Sequence, residues 1–310
     1  MTVHGWIVLD KPLGLGSTQG VAAVKRALRA RGYGKAKVGH GGTLDPLATG
    51  VLPIAIGEAT KLAGRMLDAT KAYNFTIAFG AQTDTLDLEG AVIVTSDHRP
   101  SWQDIEAVLP QFTGAITQVP PAYSALKVDG QRAYDRARAG QTVELAPRAV
   151  TIHRLFPHHW DTPNDGTAPV DTLTLAAVVS KGTYIRSLAR DIALALGTVG
   201  HVTMLRRTRA GPFDLTRAIS LDKLQAIASG EPLAFSDAIL PLEAGLDDIP
   251  ALDLDPEQAR AVRQGRVLTG LPLPDGLWFA RSGMIPVALV DLSAGALRVV
   301  RGFNLSDVAE

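Results

Sequence analysis

The sequence predicts an α+β protein with a small β-rich module at its end. Three observations carry this. Lys71-Ala-Tyr73-Asn-Phe75-Thr-Ile77-Ala-Phe79-Gly80 alternates from position to position, the period of a half-buried strand. Residues 17–31 instead put Val21, Val24 and Leu28 on one stripe and Lys25, Arg26, Arg29 and Arg31 on the other side, as an amphipathic helix does. From Leu252 the pattern changes to a short helix at 255–264 followed by short strands at 277–280, 286–292 and 296–301, which suggests a small barrel-like unit.

The other elements follow in order. Residues 6–9 read as a short apolar strand, and 10–18 as a turn entering the first helix, with Ser17 as its N-cap. Gly14, Gly16 and Gly20 faintly resemble a dinucleotide-binding turn, but the spacing is not G-x-G-x-x-G, and no acid follows at about 20 residues. Residues 38–57 have two halves. The first is a Gly-rich loop carrying His40 and Asp45; the second, 50–56, reads as a buried strand. Asp45 precedes Pro46, which pushes it away from helical backbone. Residues 58–68 read as a helix, 82–90 as an acidic turn and 91–95 as a strand.

Ser101 caps a helix through Leu109, with Trp102, Ile105 and Leu109 as its stripe. Residues 119–130 form a proline-led loop or short strand. The basic helix at 132–140 interleaves Tyr134 with Arg132, Arg136 and Arg138, which suits stacking and phosphate contact, or equally a solvated helix with one buried Tyr. Strands are expected at 150–156 and 172–179, with a polar loop at 161–169 between them. His158 and His159 have no acid at metal-ligand spacing and receive no role. A helix is expected at 187–196. Residues 197–208 carry His201, Leu205, Arg206 and Arg207 and receive no element, and 221–248 hold a helix and loose acidic segments.

Composition narrows the function. A chain of 310 residues suggests two domains, or one large domain with an appendage, and 46% hydrophobic residues can bury a core. No apolar run reaches membrane-spanning length, and the N-terminus lacks the regions of a signal peptide, so a cytoplasmic location is expected. The absence of Cys excludes disulfides, thiolate metal sites and a cysteine nucleophile. The net charge of zero argues against a nucleic-acid partner, yet the charge is segregated. Residues 1–50 hold seven Lys/Arg against two acids, and 181–217 hold seven against two; 221–258 hold one Lys against nine acids. A basic face offset by an acidic segment and ordinary solvated helix faces both fit this.

No metal cluster, nucleophilic triad or Walker motif is visible. What remains is Asp45 on its Gly-rich loop, with Tyr73, Tyr184, Arg186 and Lys11 elsewhere. A carboxylate can act as nucleophile or general base. It would need to be ionised, and a nearby Arg favours that form, although local sequence does not pair Arg186 with it.

Lys37-Val-Gly-His40-Gly-Gly-Thr-Leu-Asp45-Pro-Leu-Ala-Thr-Gly-Val-Leu-Pro-Ile resembles the signature of the bacterial tRNA pseudouridine synthase B family. Gly5-Trp-Ile-Val-Leu-Asp-Lys-Pro-Leu-Gly, Lys71-Ala-Tyr73, Gln82-Thr-Asp-Thr, Pro121-Ala-Tyr-Ser-Ala-Leu-Lys127, Ser180-Lys-Gly-Thr-Tyr-Ile-Arg186 and His201-Val-Thr-Met-Leu-Arg-Arg207 resemble further family motifs, in the same order. The resemblance is strong over 5–217 and weaker beyond. Gly41 departs from it, standing where many members have Thr; this removes a hydroxyl from the loop and leaves the His-to-Asp spacing intact.

The resemblance implies a pseudouridine synthase fold over 1–245, built on a large mixed, mainly antiparallel sheet, with an RNA-clamping insertion at about 121–148 and a PUA-like β-barrel domain at 250–310. It implies isomerisation of uridine 55 in the T loop of tRNA. The target base must be flipped out, its glycosidic bond broken, and the uracil rotated and rejoined through carbon. Asp45 is then the catalytic aspartate, Tyr73 the tyrosine stacked on the target base and a candidate proton acceptor, and Arg186 the partner of the aspartate. Tyr184 and Leu205 line the uracil pocket, Lys11 supports the loops, and His40 helps hold the T loop open. Asp45 could attack the ribose C1′, attack uracil C6, or act as a base giving a glycal. No redox change or group transfer occurs, so no cofactor and no metal are expected. The expected partner is the T stem-loop of tRNA, met by a monomer without an obligate protein partner. The alternatives are a tRNA-binding and folding factor with secondary catalysis, and a nucleotide-cofactor enzyme using Gly14, Gly16 and Gly20.

Overall fold

Strands β1 (Gly5–Lys11) and β3 (Ala48–Ile56) are apolar at nearly every position because both faces of the sheet are covered where they run. In the computed structural model the described residues are 3–128, 130–158, 167–230 and 235–305; His159 and most of the loop expected at 161–169 lie outside them. Between the two strands come α1 (Ser17–Ala30) and the short β2 (Val38–His40). After β3 the chain makes a 3₁₀ turn (Gly57–Leu62) and α2 (Ala63–Asp68), so the expected helix at 58–68 is two short pieces. Then follow β4 (Lys71–Phe79), β5 (Ala81–Thr83), β6 (Val92–Thr95), α3 (Trp102–Val108) and β7 (Gly114–Gln118). The hairpin β8 (Lys127–Val128) and β9 (Gln131–Arg132) leads into α4 (Ala133–Arg138). Next are β10 (Arg148–Pro157), β11 (Thr172–Val179), α5 (Ile185–Ala195), β12 (Gly200–Ala210), β13 (Phe213–Asp214), β14 (Ile219–Ser220) and α6 (Leu221–Ala228).

Ten of these strands form one mixed, mainly antiparallel sheet in the order β14-β1-β3-β12-β4-β11-β10-β7, with β2 added on β3 and β13 on β12. One edge of β3 pairs along its length with β1. Its other edge is split. Ala48, Thr49 and Gly50 pair with Leu205, Arg206 and Arg207 of β12, whereas Ile54, Ala55 and Ile56 pair with β2. The fork between β2 and β12 is where the Asp45 loop leaves the sheet.

Helices cover one face. α1 and α6 pack over Ile7, Leu9, Leu52 and Ile54, while α3 and α5 pack over Phe75, Ile77, Leu175 and Val179. Tyr73 and Leu205 are half-buried against both clusters and so mark the seam between the two helical layers. On the opposite face Trp6, Val8, Val51 and Phe213 pack with Phe279, Leu289 and Phe303.

Those last residues belong to a five-stranded sheet in the order β15-β17-β18-β19-β16: β15 (Ala251–Asp253), β16 (Leu268–Thr269), β17 (Gly276–Ser282), β18 (Ile285–Ser293) and β19 (Ala296–Gly302), with α7 (Pro256–Arg263) beside it. The sheet has a small core of its own around Leu254, Val262, Val290 and Leu297. It is tied to the larger body by Lys61, whose Nζ donates to the Gly302 carbonyl at 2.8 Å, and by Glu58, which accepts from the Asn304 N–H at 2.6 Å. No helix among the described residues is long and apolar enough to cross a membrane.

Two local readings need correction. Ser17 is not the N-cap of α1. That position is Gly16, whose N–H donates to Gln19 Oε1 at 2.7 Å, while the buried Ser17 hydroxyl bonds elsewhere. Residues 197–208, given no element from sequence, hold most of β12, which lies in the middle of the sheet. Register shifts at Val202/Met204 and Arg207/Arg209 break its alternation, and one of its buried residues is an arginine.

Candidate active site

The Gly-rich loop is held on every side through hydrogen bonds to its own backbone. Gly41 N–H donates to the Pro53 carbonyl at 2.8 Å, in the fork beside β3. Arg207, 1% exposed, fills the rest of that fork: its Nε donates to Val51 O at 2.7 Å, and its two terminal nitrogens donate to Thr43 O and Gly42 O at 3.2 Å each. Such close pairing needs Gly50, at φ +100°, where a Cβ would stand 2.2 Å from the Arg207 carbonyl. From the helical layer, Ser17 Oγ donates to Leu44 O at 2.9 Å and accepts from Leu44 N–H at 2.8 Å. The ammonium of Lys11, fully buried, donates to Pro12 O, Leu15 O and Pro46 O at 3.1, 2.7 and 3.1 Å. Burial pushes Lys11 down to about 8, against the opposing pull of Asp45.

Held this way, Asp45 meets Arg186 in the first turn of α5. Arg186 NH2 stands 2.9 Å from Asp45 Oδ2; the arginine side chain is 7% exposed and the carboxylate 42%. The guanidinium is itself fixed. NH1 donates to Thr85 O at 2.7 Å and lies 3.5 Å from Asp87 Oδ2, and NH2 also donates to Tyr123 O at 3.0 Å. Asp87 is anchored in turn, since its Oδ1 accepts from the Thr85 hydroxyl and the Glu89 N–H. Arg186 is thus a fork with carboxylates on both sides, a use that its planar, multi-donor head allows.

The ion pair borders a cavity of about 310 Å³ at the seam between the helical layers. Asp45, Tyr73, Tyr184, Arg186 and Leu205 line it together, with Leu44, Leu67, Lys71 and Arg207. Tyr73 and Leu205 come from β4 and β12, adjacent in the sheet. Tyr184 is set by its N–H, which donates to the Gln118 side-chain oxygen at 2.8 Å, and burial raises its phenol. Lys71 donates to Leu67 O and Ala69 O at 2.6 and 2.7 Å, and burial, aided by Arg207, lowers it to about 8. The cavity therefore presents a carboxylate, two phenols and apolar walls, a set that can stack a planar base and move protons at it.

Of the residues singled out from sequence, Lys11 and His40 do not line the cavity. Lys11 lies beneath the loop, as described. His40 ends β2, and its Nδ1 accepts the Gly42 N–H at 3.4 Å, which leaves Nε2 as the protonated nitrogen. Burial lowers its pKa, with Arg207 adding to the effect. Sequence reading assigned no role to Arg207, Asp87 or Lys71, and it gave Ser17 only that of a helix cap. Lys71 and Arg207 stand within quoted motifs, but the contacts that place them are to backbone carbonyls, which no side-chain pattern marks. Among the described residues no group of three or more His, Asp or Glu could hold a metal ion.

The chain is similar to known proteins over most of its length. Residues 25–185 match the TruB family pseudouridylate synthase N-terminal domain, and 186–247 match the tRNA pseudouridylate synthase B C-terminal domain. A tRNA pseudouridine synthase B of Novosphingobium aromaticivorans is 71% identical over 99% of this chain and 100% of its own length; that of Zymomonas mobilis is 56% identical over 97% and 96%. Among solved structures, an H/ACA RNP bound to a substrate RNA containing 2′-deoxyuridine superposes with a TM-score of 0.69 at 26% identity, covering 98% of this chain and 86% of the matched one. A Cbf5–Nop10–Gar1 complex gives 0.70 at 26% identity, covering 96% and 84%.

Proposed function

The chain belongs to the TruB family of pseudouridylate synthases, and on that premise we propose that it acts at uridine 55 in the T loop of tRNA with Asp45, Tyr73 and Arg186 as its catalytic set. It is an enzyme that isomerises uridine to pseudouridine in tRNA. The observation that carries the site assignment is the 2.9 Å pairing of Asp45 with a buried Arg186 at the edge of a cavity walled by Tyr73, Tyr184 and Leu205. A uridine must leave the stacked loop to reach that cavity, and a flipped base is then held by stacking and edge contacts. Attack at C1′, attack at C6 and proton abstraction toward a glycal all place the nucleoside against the Asp45 carboxylate, so all three require it. His40, at the entrance to the loop, braces the opened RNA through Nε2–H, and Lys11 keeps the loop in register.

We take residues 1–245 as the catalytic domain, with an insertion at about 121–148 that grips the RNA, and 250–310 as a PUA-like RNA-binding domain. The separate core of the five-stranded sheet supports that division. The protein works without a cofactor, as a cytoplasmic monomer, on the T stem-loop. The test is to incubate the pure protein, with no cofactor, with an unmodified tRNA transcript and map pseudouridine chemically. Wild type is expected to modify position 55. Asp45→Asn is expected to bind the transcript and leave it unmodified, and conversion at the wild-type rate by that variant would remove Asp45 from the chemistry.

A further inference from the structure

Arg186 is shared between the catalytic carboxylate and the root of the insertion. Its NH2 nitrogen serves Asp45 Oδ2 at 2.9 Å and the Tyr123 carbonyl at 3.0 Å. The same face of α5 holds more of that root: Ser187 Oγ and Arg190 NH2 donate to Val119 O at 2.8 and 3.1 Å, and Gln118 takes the Tyr184 N–H. Tyr123 also reaches the other side of Arg186, its hydroxyl donating to Asp84 Oδ2 at 3.1 Å. Asp84 begins the loop whose Thr85 carbonyl and Asp87 carboxylate fix NH1. Tyr123 thus joins the two loops that fix the guanidinium, one through its carbonyl and the other through its phenol.

The far end of Tyr123 faces the insertion. Its ring meets Tyr134 of α4 edge-on, with centroids 6.3 Å apart, and the Arg138 guanidinium stacks over Tyr134 at 4.4 Å. The backbone follows the same route, with Tyr134 N–H donating to Ser124 O at 3.0 Å and Ala133 N–H to Leu126 O at 2.7 Å. Arg138 is exposed, as Arg132 is, so α4 presents cations to whatever the insertion grips. A shift of α4 as its arginines take hold of phosphates cannot leave the Tyr134–Tyr123 contact unchanged, because packed side chains transmit displacement.

We propose that Tyr123 is a positioning residue that couples engagement of RNA by the α4 insertion to the alignment of Arg186 with Asp45. The inference rests on the functional reading above and adds a consequence to it: grip and chemistry are energetically linked through one side chain, so weakening the grip slows the chemical step as well as binding. A double-mutant cycle measures such a link.

Single-turnover rates at saturating tRNA are measured for wild type, Tyr123→Phe, Arg138→Ala and the double variant, with tRNA Kd and melting temperature for each. Tyr123→Phe, which keeps the ring and loses the bond to Asp84, is expected to slow chemistry about tenfold, the scale of one hydrogen bond to a carboxylate, with Kd and melting temperature held. Asp84→Ala removes the same bond from the other end and is expected to give the same split between rate and affinity. Arg138→Ala is expected to slow chemistry by about threefold when Tyr123 is present and to add nothing in the Tyr123→Phe background. Additive losses, or a wild-type rate in Tyr123→Phe, would overturn the coupling. If wild type itself forms no pseudouridine, the functional reading falls instead, and the coupling with it.

Discussion

Arg207 Nε donates to the carbonyl of Val51 at 2.7 Å, in the gap where β2 and β12 separate along β3. A split strand edge leaves backbone acceptors unpaired, and burial would make them costly. One guanidinium answers this and reaches on to the Gly42 and Thr43 carbonyls, so the sheet and the loop that carries Asp45 share a single support. A lysine there has a point charge and no rigid fork. Arg207→Lys is expected to cost about 2–4 kcal/mol of unfolding free energy in urea and to slow single-turnover modification about a hundredfold.

Asp87 holds the other side of Arg186, at 3.5 Å from NH1. Asp87→Asn keeps an acceptor and removes the charge. The expected result is a single-turnover rate about tenfold lower with tRNA affinity unchanged, because Asp87 is buried and acts through Arg186. Equal losses in rate and affinity would assign Asp87 to RNA binding.

Lys11 predicts opposite pH trends for activity and stability. Its ammonium has three protons and serves three carbonyls; a neutral amine has two. With a folded value of about 8 against the ordinary 10.5, it loses its proton in the folded state first. Between about 8 and 10.5 the unfolded chain therefore binds more protons, and this group's contribution makes unfolding free energy rise with pH. The Asp45 loop meanwhile loses one of its ties. The rate of modification is expected to fall with an alkaline midpoint of about 8, without a matching fall in melting temperature. Parallel rate and melting profiles across that window would contradict it.

Gly41 and Met66 occupy one space. A Cβ on Gly41 would lie 2.6 Å from Met66 Cβ, so a threonine at this position cannot enter this chain unaided. Gly41→Thr is expected to destabilise by about 1–3 kcal/mol, and Met66→Gly, which removes the Cβ that stands closest, to cost less in the Gly41→Thr chain than by itself. Additive costs in urea unfolding would separate the two sites.

Much of the architecture was legible in the residues. The period-2 run at 71–80 and the stripe of Val21, Val24 and Leu28 became β4 and α1, and the apolar run after Asp45 became β3. Ser17 was misread because a serine before a helix is commonly a cap, while here its hydroxyl is buried on Leu44. β12 was invisible as a strand because tertiary pairing, not apolar alternation, places it between β3 and β4.

The sequence by itself determined the family, through ordered motifs, and singled out Asp45 as the carboxylate on a loop free of bulk. Only the tertiary structure decided which cation meets it, because Asp45 and Arg186 are brought together by sheet pairing across most of the catalytic body. The same holds for the supports of the site. Lys11 and Arg207 are fixed by main-chain carbonyls, and Arg186 by two of them besides its two carboxylates. Every residue carries a carbonyl, so nothing in the identity of Val51, Thr85 or Pro46 marks it as the one that accepts.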